Sequence, residues 1–335
     1  MTPVEALDRI VYLLDRALEP GFRVNAFKKA ADVARKTPPE ELAARAAAGT
    51  LTELPAIGDA SAKVITEALH GEIPGYVTKL EATTQIAVSD EATAIRRMLK
   101  GDCHSHTNWS DGGADIETMA RAAIALGHEW WVLTDHSPRL TIAHGLNRDR
   151  LSAQLDEIER LNRELAPFRI FTGLEVDILE DGALDMDDDM LERLDLVVAS
   201  VHSKLKMDRQ PMTERMVLAA ASPHVDIIGH CTGRMIDKRP PSSFDADIVF
   251  AACAQFGTAV EINCRPERLD PPDELLQLAL DYGCYVAIDS DAHAPGQLEW
   301  QPYGCEIAAR NDVPLDLIIN TFDADGLLSW TTAAP

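Results

Sequence analysis

Gly101-Asp-Cys-His-Ser-His106 decides how the chain is read: a short run that ends in two histidines spaced two residues apart. Further polar clusters share its setting. They are Thr134-Asp135-His136, Gly173-Leu174-Glu175 and Asp291-Ala292-His293, and each closes an apolar run with the pattern of a β-strand. Alternate side chains of a strand share a face, so His104 and His106 are expected to point together, as are Asp291 and His293. Working outward, seven strands are predicted near 99–105, 129–135, 168–177, 194–202, 225–230, 257–264 and 284–290. Helical patterns lie between most of them, at 114–127, 148–165, 212–221, 244–256 and 272–282. Strands alternating with helices in this order predict an α/β fold whose parallel sheet closes into a barrel. In such barrels the chemistry sits at the carboxyl ends of the strands, where these clusters fall.

Histidine nitrogen and carboxylate oxygen gathered at one end of a barrel are donors suited to zinc, manganese or iron. Glu175 has two oxygens and is suited to bridge two cations. His202 ends the run Leu196-Val-Val-Ala-Ser-Val201, and His230 ends Val225-Asp-Ile-Ile-Gly229. Asp111 lies in a Ser-Asp-Gly-Gly turn just past the first strand, close enough to fold over the same site. A single histidine at a strand end is usually a satisfied core or surface residue. Several at the same end of successive strands point to one multinuclear site. His70, His128, His144 and His224 stand outside the pattern and read as structural or surface residues.

The formal charge of the 335 residues is −24, from 31 Lys and Arg against 55 Asp and Glu. Its distribution is uneven. Residues 1–100 hold 13 basic and 14 acidic side chains, a net of −1, and the rest hold 18 and 41, a net of −23. An acidic body repels polyanions unless bound cations neutralise its cleft. Six cysteines are scattered without a CxxC pair and are expected to be reduced thiols. Neither a secretory leader nor an apolar run near the roughly 18 residues of a membrane span is readable. The expectation is a soluble, cytoplasmic protein with no membrane partner.

Residues 1–82 read as all-helical. Apolar residues at 4, 7, 10, 11, 14 and 18 follow a helical period. After a break at Pro20-Gly21 comes a basic helix from about Arg23 to Lys36. Thr37-Pro38-Pro39-Glu40 opens another, with proline early in the helix where its missing N–H costs nothing. Leu54-Pro55-Ala56-Ile57-Gly58-Asp59 reads as a tight turn into a helix that runs to His70-Gly71. Three parts are expected: a small helical domain over 1–82, a connector over 83–100 and a barrel domain over 101–335.

The barrel segments also carry a family resemblance. Residues 101–330 are similar to the polymerase and histidinol phosphatase (PHP) domain, above all to the version at the C-terminus of bacterial family X DNA polymerases. The likeness runs through Gly101-Asp-Cys-His-Ser-His106, Trp109-Ser-Asp-Gly112, Leu133-Thr-Asp-His-Ser137 and Gly173-Leu-Glu-Val-Asp-Ile178. It continues through Leu196-Val-Val-Ala-Ser-Val-His-Ser203, Gly229-His-Cys-Thr-Gly-Arg234, Glu261-Ile-Asn263, Arg268-Leu-Asp270 and Ser290-Asp-Ala-His293. The resemblance implies a distorted seven-stranded (β/α)7 barrel holding three divalent metal ions, zinc, manganese or iron. Carried over residue by residue, His104, His106, Glu175 and Asp291 would hold the first ion. Glu175 would bridge to a second, completed by His202 and His230. Asp111, His136 and His293 would hold the third. Cys231 stands where relatives often have proline.

The implied activity is metal-dependent hydrolysis of a phosphate ester, with Glu175 and Asp291 at the reaction centre and Arg234 as a catalytic cation. Lys204 and Arg268 are further candidates to grip substrate phosphate. Asp102, Asp135 and Asp289 sit beside ligands and are candidates to fix histidine tautomers. No covalent nucleophile is readable, since Ser105 and Ser203 have no spare general base.

The helical start resembles the lyase-type domain that opens the same polymerases, through Pro20-Gly-Phe-Arg-Val-Asn-Ala-Phe-Lys-Lys29 and Leu51-Thr-Glu-Leu-Pro-Ala-Ile-Gly58. The second segment is similar to a helix-hairpin-helix, in which backbone amides at a helix start grip a DNA phosphate. Ala56 stands where that family usually has glycine. Arg23, Lys28, Lys29 and Gly58 are the expected nucleic-acid contacts, weak and without sequence specificity. Residues 83–100 leave no room for a polymerase palm and fingers, so polymerisation is not expected. Three readings follow. One is a phosphoesterase on DNA 3′ ends (3′-5′ exonuclease, 3′-phosphatase or AP-site processing). Another is a small-molecule phosphatase of histidinol-phosphatase or nucleotide type. The third is a non-catalytic DNA-binding module, which the complete ligand set argues against.

Overall fold

The structure, a computed structural model, describes residues 1–332. They form two compact units, the first Met1–Ala87 and the second starting at Val88. The first contains five α-helices: α1 (Pro3–Arg16), α2 (Gly21–Lys36), α3 (Pro39–Ala48), α4 (Asp59–Leu69) and α5 (Gly75–Thr83). Thr2 starts α1 with a reciprocal cap, its hydroxyl accepting from the Glu5 amide while Glu5 accepts from the Thr2 amide. The apolar stripe of α1 then buries Leu7, Ile10 and Leu14 against Phe27 of α2 and Val64 and Ile65 of α4. Ala56, in the turn before α4, has φ 60, a left-handed conformation that costs a residue with a Cβ about 1 kcal/mol.

The second unit opens with α6 (Asp90–Met98), so most of the stretch read as a connector packs with the barrel residues. Six strands follow: β1 (Trp130–Leu133), β2 (Arg169–Asp177), β3 (Leu196–Ser200), β4 (Ile227–Ile228), β5 (Ala259–Asn263) and β6 (Val286–Asp289). The helices before, among and after them are α7 (Ile116–Ala125), α8 (Arg148–Leu165), α9 (Asp188–Leu191), α10 (Arg209–Ala220), α11 (Ala246–Phe256), α12 (Asp273–Asp281), α13 (Gln301–Arg310) and α14 (Ala324–Thr332). The sheet is parallel throughout, in the order β1-β2-β3-β4-β5-β6. Both of its faces are apolar. Trp130, Val132, Phe171, Leu196, Val198 and Ile227 pack together on one side, and Trp131, Leu133 and Ile170 pack with residues of α7 and α8 on the other. Strands buried on both faces are the mark of a parallel α/β sheet. Gly173 makes the close approach possible, because a Cβ there would lie 2.9 Å from the Leu133 and Leu196 carbonyl oxygens.

The expected seventh strand near 99–105 is not a strand; among the described residues the sheet has six. The segment nonetheless joins the two sheet edges. Val132 N donates to Asp102 O at 2.9 Å and Thr134 N to Ser105 O at 3.0 Å, while on the other side Asp291 N donates to His104 O at 3.0 Å. Side chains replace the rest of the ladder. Cys103 N donates to Asp289 Oδ1 at 2.8 Å and Ser105 N to Thr134 Oγ1 at 2.9 Å. Buried carboxylates thus take bonds that strand carbonyls would make, and the period-2 pattern is lost. Among the described residues no helix is long and apolar enough to cross a membrane. All six cysteines are free and buried.

Candidate metal centre

Strand parity explains how Glu175 reaches the site. In β2 it shares a face with Phe171 and Gly173, so the face that is apolar at the bottom of the sheet becomes ionisable at the carboxyl end. The same parity carries Trp130 and Val132 toward His136, and Leu196 and Val198 toward His202. It fails at His230, three residues after the inward-facing Ile227, and two of the candidates have left-handed backbone. His230 has φ 24 and Asp291 φ 52, conformations that cost about 1–3 kcal/mol each and cluster at functional sites. At both, the chain has left its strand.

All nine ligand candidates converge. Glu175 is 1% exposed and is faced by five imidazoles. Its Oε2 lies 3.3 Å from His104 Nε2, 3.6 Å from His106 Nε2 and 2.8 Å from His136 Nδ1. Its Oε1 lies 3.2 Å from His202 Nε2 and 2.9 Å from His230 Nε2. Asp291 Oδ1 adds to the first group, 3.5 Å from His106 Nε2. Asp111 Oδ1 stands 3.6 Å from His136 Nε2 and 3.5 Å from His293 Nε2. His70, His128, His144 and His224 are not in the cluster; His128 instead meets Arg96 at 2.9 Å.

These residues fit divalent ions. Three groups of donor atoms lie within 4.8 Å of one another: His106, Asp111, His136 and His293; His104, His106 and Asp291; His136, Glu175 and His202. Ligands about 2.0–2.2 Å from a shared ion stand at such separations. Several of these donors are buried with no hydrogen-bond partner, among them His104 Nε2, both His106 nitrogens and Glu175 Oε2. A buried polar atom left unpaired costs about 1–3 kcal/mol, a cost that a cation removes.

Electrostatics agree. Burial pushes the Glu175 carboxyl up, but His202, His104 and His136 outweigh it and hold it well below the usual range. Asp291 is likewise held ionised against burial by His106, His104, His293 and Arg268. Burial, with His293 and His136 nearby, keeps His106 neutral, and burial with Arg268 lowers His230 to about 4. Against burial, Glu175 and Asp177 raise His202 to about 9. The carboxylates call for positive charge, and a metal ion supplies it while displacing protons.

Several sequence expectations need correction. Arg234 does not enter the cluster; its Nε donates to Arg268 O at 2.9 Å and its Nη2 to Leu269 O. The cations that line the pocket are Arg268 and Arg265. Lys204 is exposed and 3.7 Å from Glu180. Asp102, Asp135 and Asp289 brace backbone and hydroxyl groups rather than imidazoles: Asp135 takes Thr107 N at 2.7 Å and Asp102 takes Ser290 N at 3.2 Å. The tautomer-fixing carboxylates are others. His104 Nδ1 donates to Glu261 Oε1 at 2.6 Å, which turns Nε2 toward Glu175. Asp177 Oδ1 stands 3.5 Å from His202 Nδ1, and the Asp291 carbonyl takes His293 Nδ1 at 2.9 Å. Glu261 is fully buried inside Ala259-Val-Glu-Ile-Asn263. A carboxylate within an apolar strand was the available signal, because such residues are almost never buried unpaired. Cys231 is buried and outside every donor group, with burial pushing its thiol up, so it packs rather than ligates.

In the first unit, Arg23 is engaged by Tyr76 at 2.6 Å and Glu19 at 2.7 Å. The Gly58 amide donates to Ser61 Oγ at 3.0 Å. Lys28 and Lys29 are exposed on α2.

A curled parallel α/β sheet with a buried His and carboxylate cluster at its carboxyl end defines a metal-dependent hydrolase. Residues 102–265 match the PHP domain. The chain is 40% identical over 223 residues to the DNA polymerase/3'-5' exonuclease PolX of Bacillus subtilis. That match takes in 67% of this chain but only 39% of the relative's length. It is 29% identical over 233 residues to a probable phosphatase of Thermoanaerobacter, covering 66% of this chain and 89% of that one. Histidinol phosphate phosphatase from Lactococcus lactis, solved with zinc, L-histidinol and phosphate, aligns with a TM-score of 0.43 at 20% identity, over 58% of this chain and 87% of its own. The matched domain and the probable phosphatases among the relatives support a metal-dependent phosphoesterase.

Proposed function

We propose that the second unit hydrolyses phosphate esters at a trinuclear centre. The observation that carries this is Glu175, whose two oxygens face separate sets of histidines, three at Oε2 and two at Oε1. Asp111, His136 and His293 would hold the third ion. Bound divalent ions lower the pKa of water and stabilise charge on phosphoryl and leaving oxygens. The chain's own residues do the rest. Glu175 and Asp291 stay ionised; Glu261 and Asp177 hold His104 and His202 with Nε2 inward. Arg268 presents its guanidinium to the phosphoryl group. Purified protein is expected to carry two to three zinc, manganese or iron ions and to hydrolyse p-nitrophenyl phosphate. Protein that neither contains metal by elemental analysis nor binds it when added sinks the reading.

The cavity at the centre is about 210 Å³ and lined by the ligand candidates other than His104 and His106, with Leu140, Met235, Arg265 and Arg268. Binding pockets for whole small molecules run roughly 300–1,000 Å³. The site therefore takes a terminal phosphoryl group and leaves most of the alcohol outside, which suits phosphomonoesters.

A second reading places that phosphoryl group at a DNA 3′ end. Two observations favour it: the near-neutral charge of residues 1–100 beside an acidic remainder, and the similarity to PolX. Turnover of a 3′-phosphorylated oligonucleotide against small phosphomonoesters decides between them.

A further inference from the structure

We infer that Arg234 is a positioning residue for phosphate binding, acting through Arg268; this rests on the phosphoesterase reading above. The two side chains lie on successive loops after β4 and β5. Arg234 spans the carbonyls of Arg268 and Leu269 with Nε and Nη2. Those carbonyls need an external donor of this shape because Leu269 sits at φ 43. A non-glycine residue in that region holds only when its surroundings over-determine it. The planar fork of arginine meets two adjacent acceptors, which lysine cannot do.

The consequence falls on the Arg268 side chain. It leaves the backbone at the clamped carbonyl and enters the metal pocket, with Nε 3.3 Å from Asp291 Oδ2. Its Nε and Nη1 are buried and have no hydrogen-bond partner. The Nη1 N–H groups, which have no partner beside a cluster of metal-binding donors, are placed for phosphoryl oxygens, which they would meet in charge-assisted bonds, while Nε faces Asp291. Arg234 fixes where that guanidinium stands. Its own charge is spent on carbonyls and never reaches the phosphate.

Other bonds keep the two loops attached when Arg234 is replaced. Thr232 N donates to Asp270 Oδ2 at 2.9 Å and Ile236 N to Glu267 O at 2.7 Å, while Asn263 N to Asp270 O at 2.8 Å closes the second loop on itself. Replacement is therefore expected to loosen Arg268 without unfolding the unit.

The test is a double-mutant cycle on the full chain: wild type, R234Q, R268A and the double variant. KM and kcat are read on p-nitrophenyl phosphate, inorganic phosphate affinity by calorimetry, and metal content by elemental analysis. Loss of charge-assisted bonds at Arg268 is expected to weaken phosphate binding and raise KM by about 10-fold or more in R268A, and roughly 10-fold in R234Q. Metal content should stay at the wild-type level in R234Q. The double variant should match R268A, because Arg234 has nothing left to position. R234K should fall between wild type and R234Q. Multiplicative losses in the double variant, an unchanged KM in R234Q, or metal loss in R234Q would each overturn the proposal. If the wild type binds phosphate but turns over no phosphoester, the functional reading fails while the cycle is still scored on phosphate affinity. If the wild type does not bind phosphate at all, Arg268 has no anion to meet and this proposal fails.

Discussion

Glu175 concentrates the chemistry in one side chain. With three imidazoles at one oxygen and two at the other, it is the residue whose loss disturbs most partners. Glu175→Ala is expected to lower phosphoester hydrolysis at least about 100-fold, since changes even one shell further out cost 10–100-fold in metal affinity or activity. Bound metal should fall with it, and circular dichroism should show the sheet intact, because the apolar pairs below Glu175 do not touch it. An active E175A enzyme would mean that the centre is misassigned. Glu261 makes a subtler case. It contacts no candidate ion yet orients His104 and accepts the His230 amide. Glu261→Gln should weaken metal binding and activity roughly 10-fold, and retention of full metal affinity by E261Q would remove its orienting role. The convergence of all nine candidate positions was legible because histidines and acids at strand ends have few structural uses. Glu261 was not, because its partner is 157 positions away in sequence. Arg234 was misread for a related reason: composition marks a cation in an acidic body, but which acceptors it meets depends on a loop that returns from β5.

At the scale of elements, the strands from β1 to β6 were legible as apolar runs, with ends trimmed by a few residues. The segment from Gly101 to His106 was read as a strand because its ends and spacing suit one. Its backbone instead bonds to Asp289, Asp102 and Thr134 side chains, a substitution no periodicity reveals. A buried carboxylate has a testable counterpart between β3 and β4. Asp226 Oδ2 accepts Val197 N at 2.7 Å, and burial, opposed by that bond, raises its carboxyl to about 7. An unfolded aspartate titrates near 3.9. Between about pH 4 and pH 7 the folded state therefore holds more protons than the unfolded state, so this group makes stability fall as pH rises through that window. Asp226→Asn keeps an acceptor for Val197 N and removes the charge. Its unfolding free energy should match wild type near pH 4 and exceed it at pH 8 by on the order of 1–2 kcal/mol, allowing for the partial exposure of the side chain. Urea titrations at the two pH values measure this. Equal pH dependence in both proteins would show that Asp226 ionises normally in the fold.

For the whole molecule, the division of charge sets what the first unit can do. Its residues are close to neutral while the rest carries a net of −23, so attraction to a polyanion must come from local cations. Arg23 is occupied by Glu19 and Tyr76, and the Gly58 amide by Ser61. Of the contacts expected from the sequence, Lys28 and Lys29 are exposed on one turn of α2, with Lys28 beside Asp15. Two such residues and a turn before α4 with alanine in left-handed conformation argue for phosphate contacts that are few and independent of sequence. DNA binding is accordingly expected to be weak, in the range of about 10⁻⁴–10⁻⁶ M at physiological salt, and to weaken further as salt rises. Lys28→Glu with Lys29→Glu in the full chain should abolish it. Hydrolysis of p-nitrophenyl phosphate should be unchanged, because neither lysine belongs to the metal pocket. Fluorescence anisotropy of a labelled oligonucleotide, run beside the hydrolysis assay, separates the outcomes. Unchanged DNA binding in the double variant would place the contact elsewhere on the chain. A collapse of small-ester hydrolysis would show that these lysines serve the catalytic unit, and the division of labour between the two units would then be wrong.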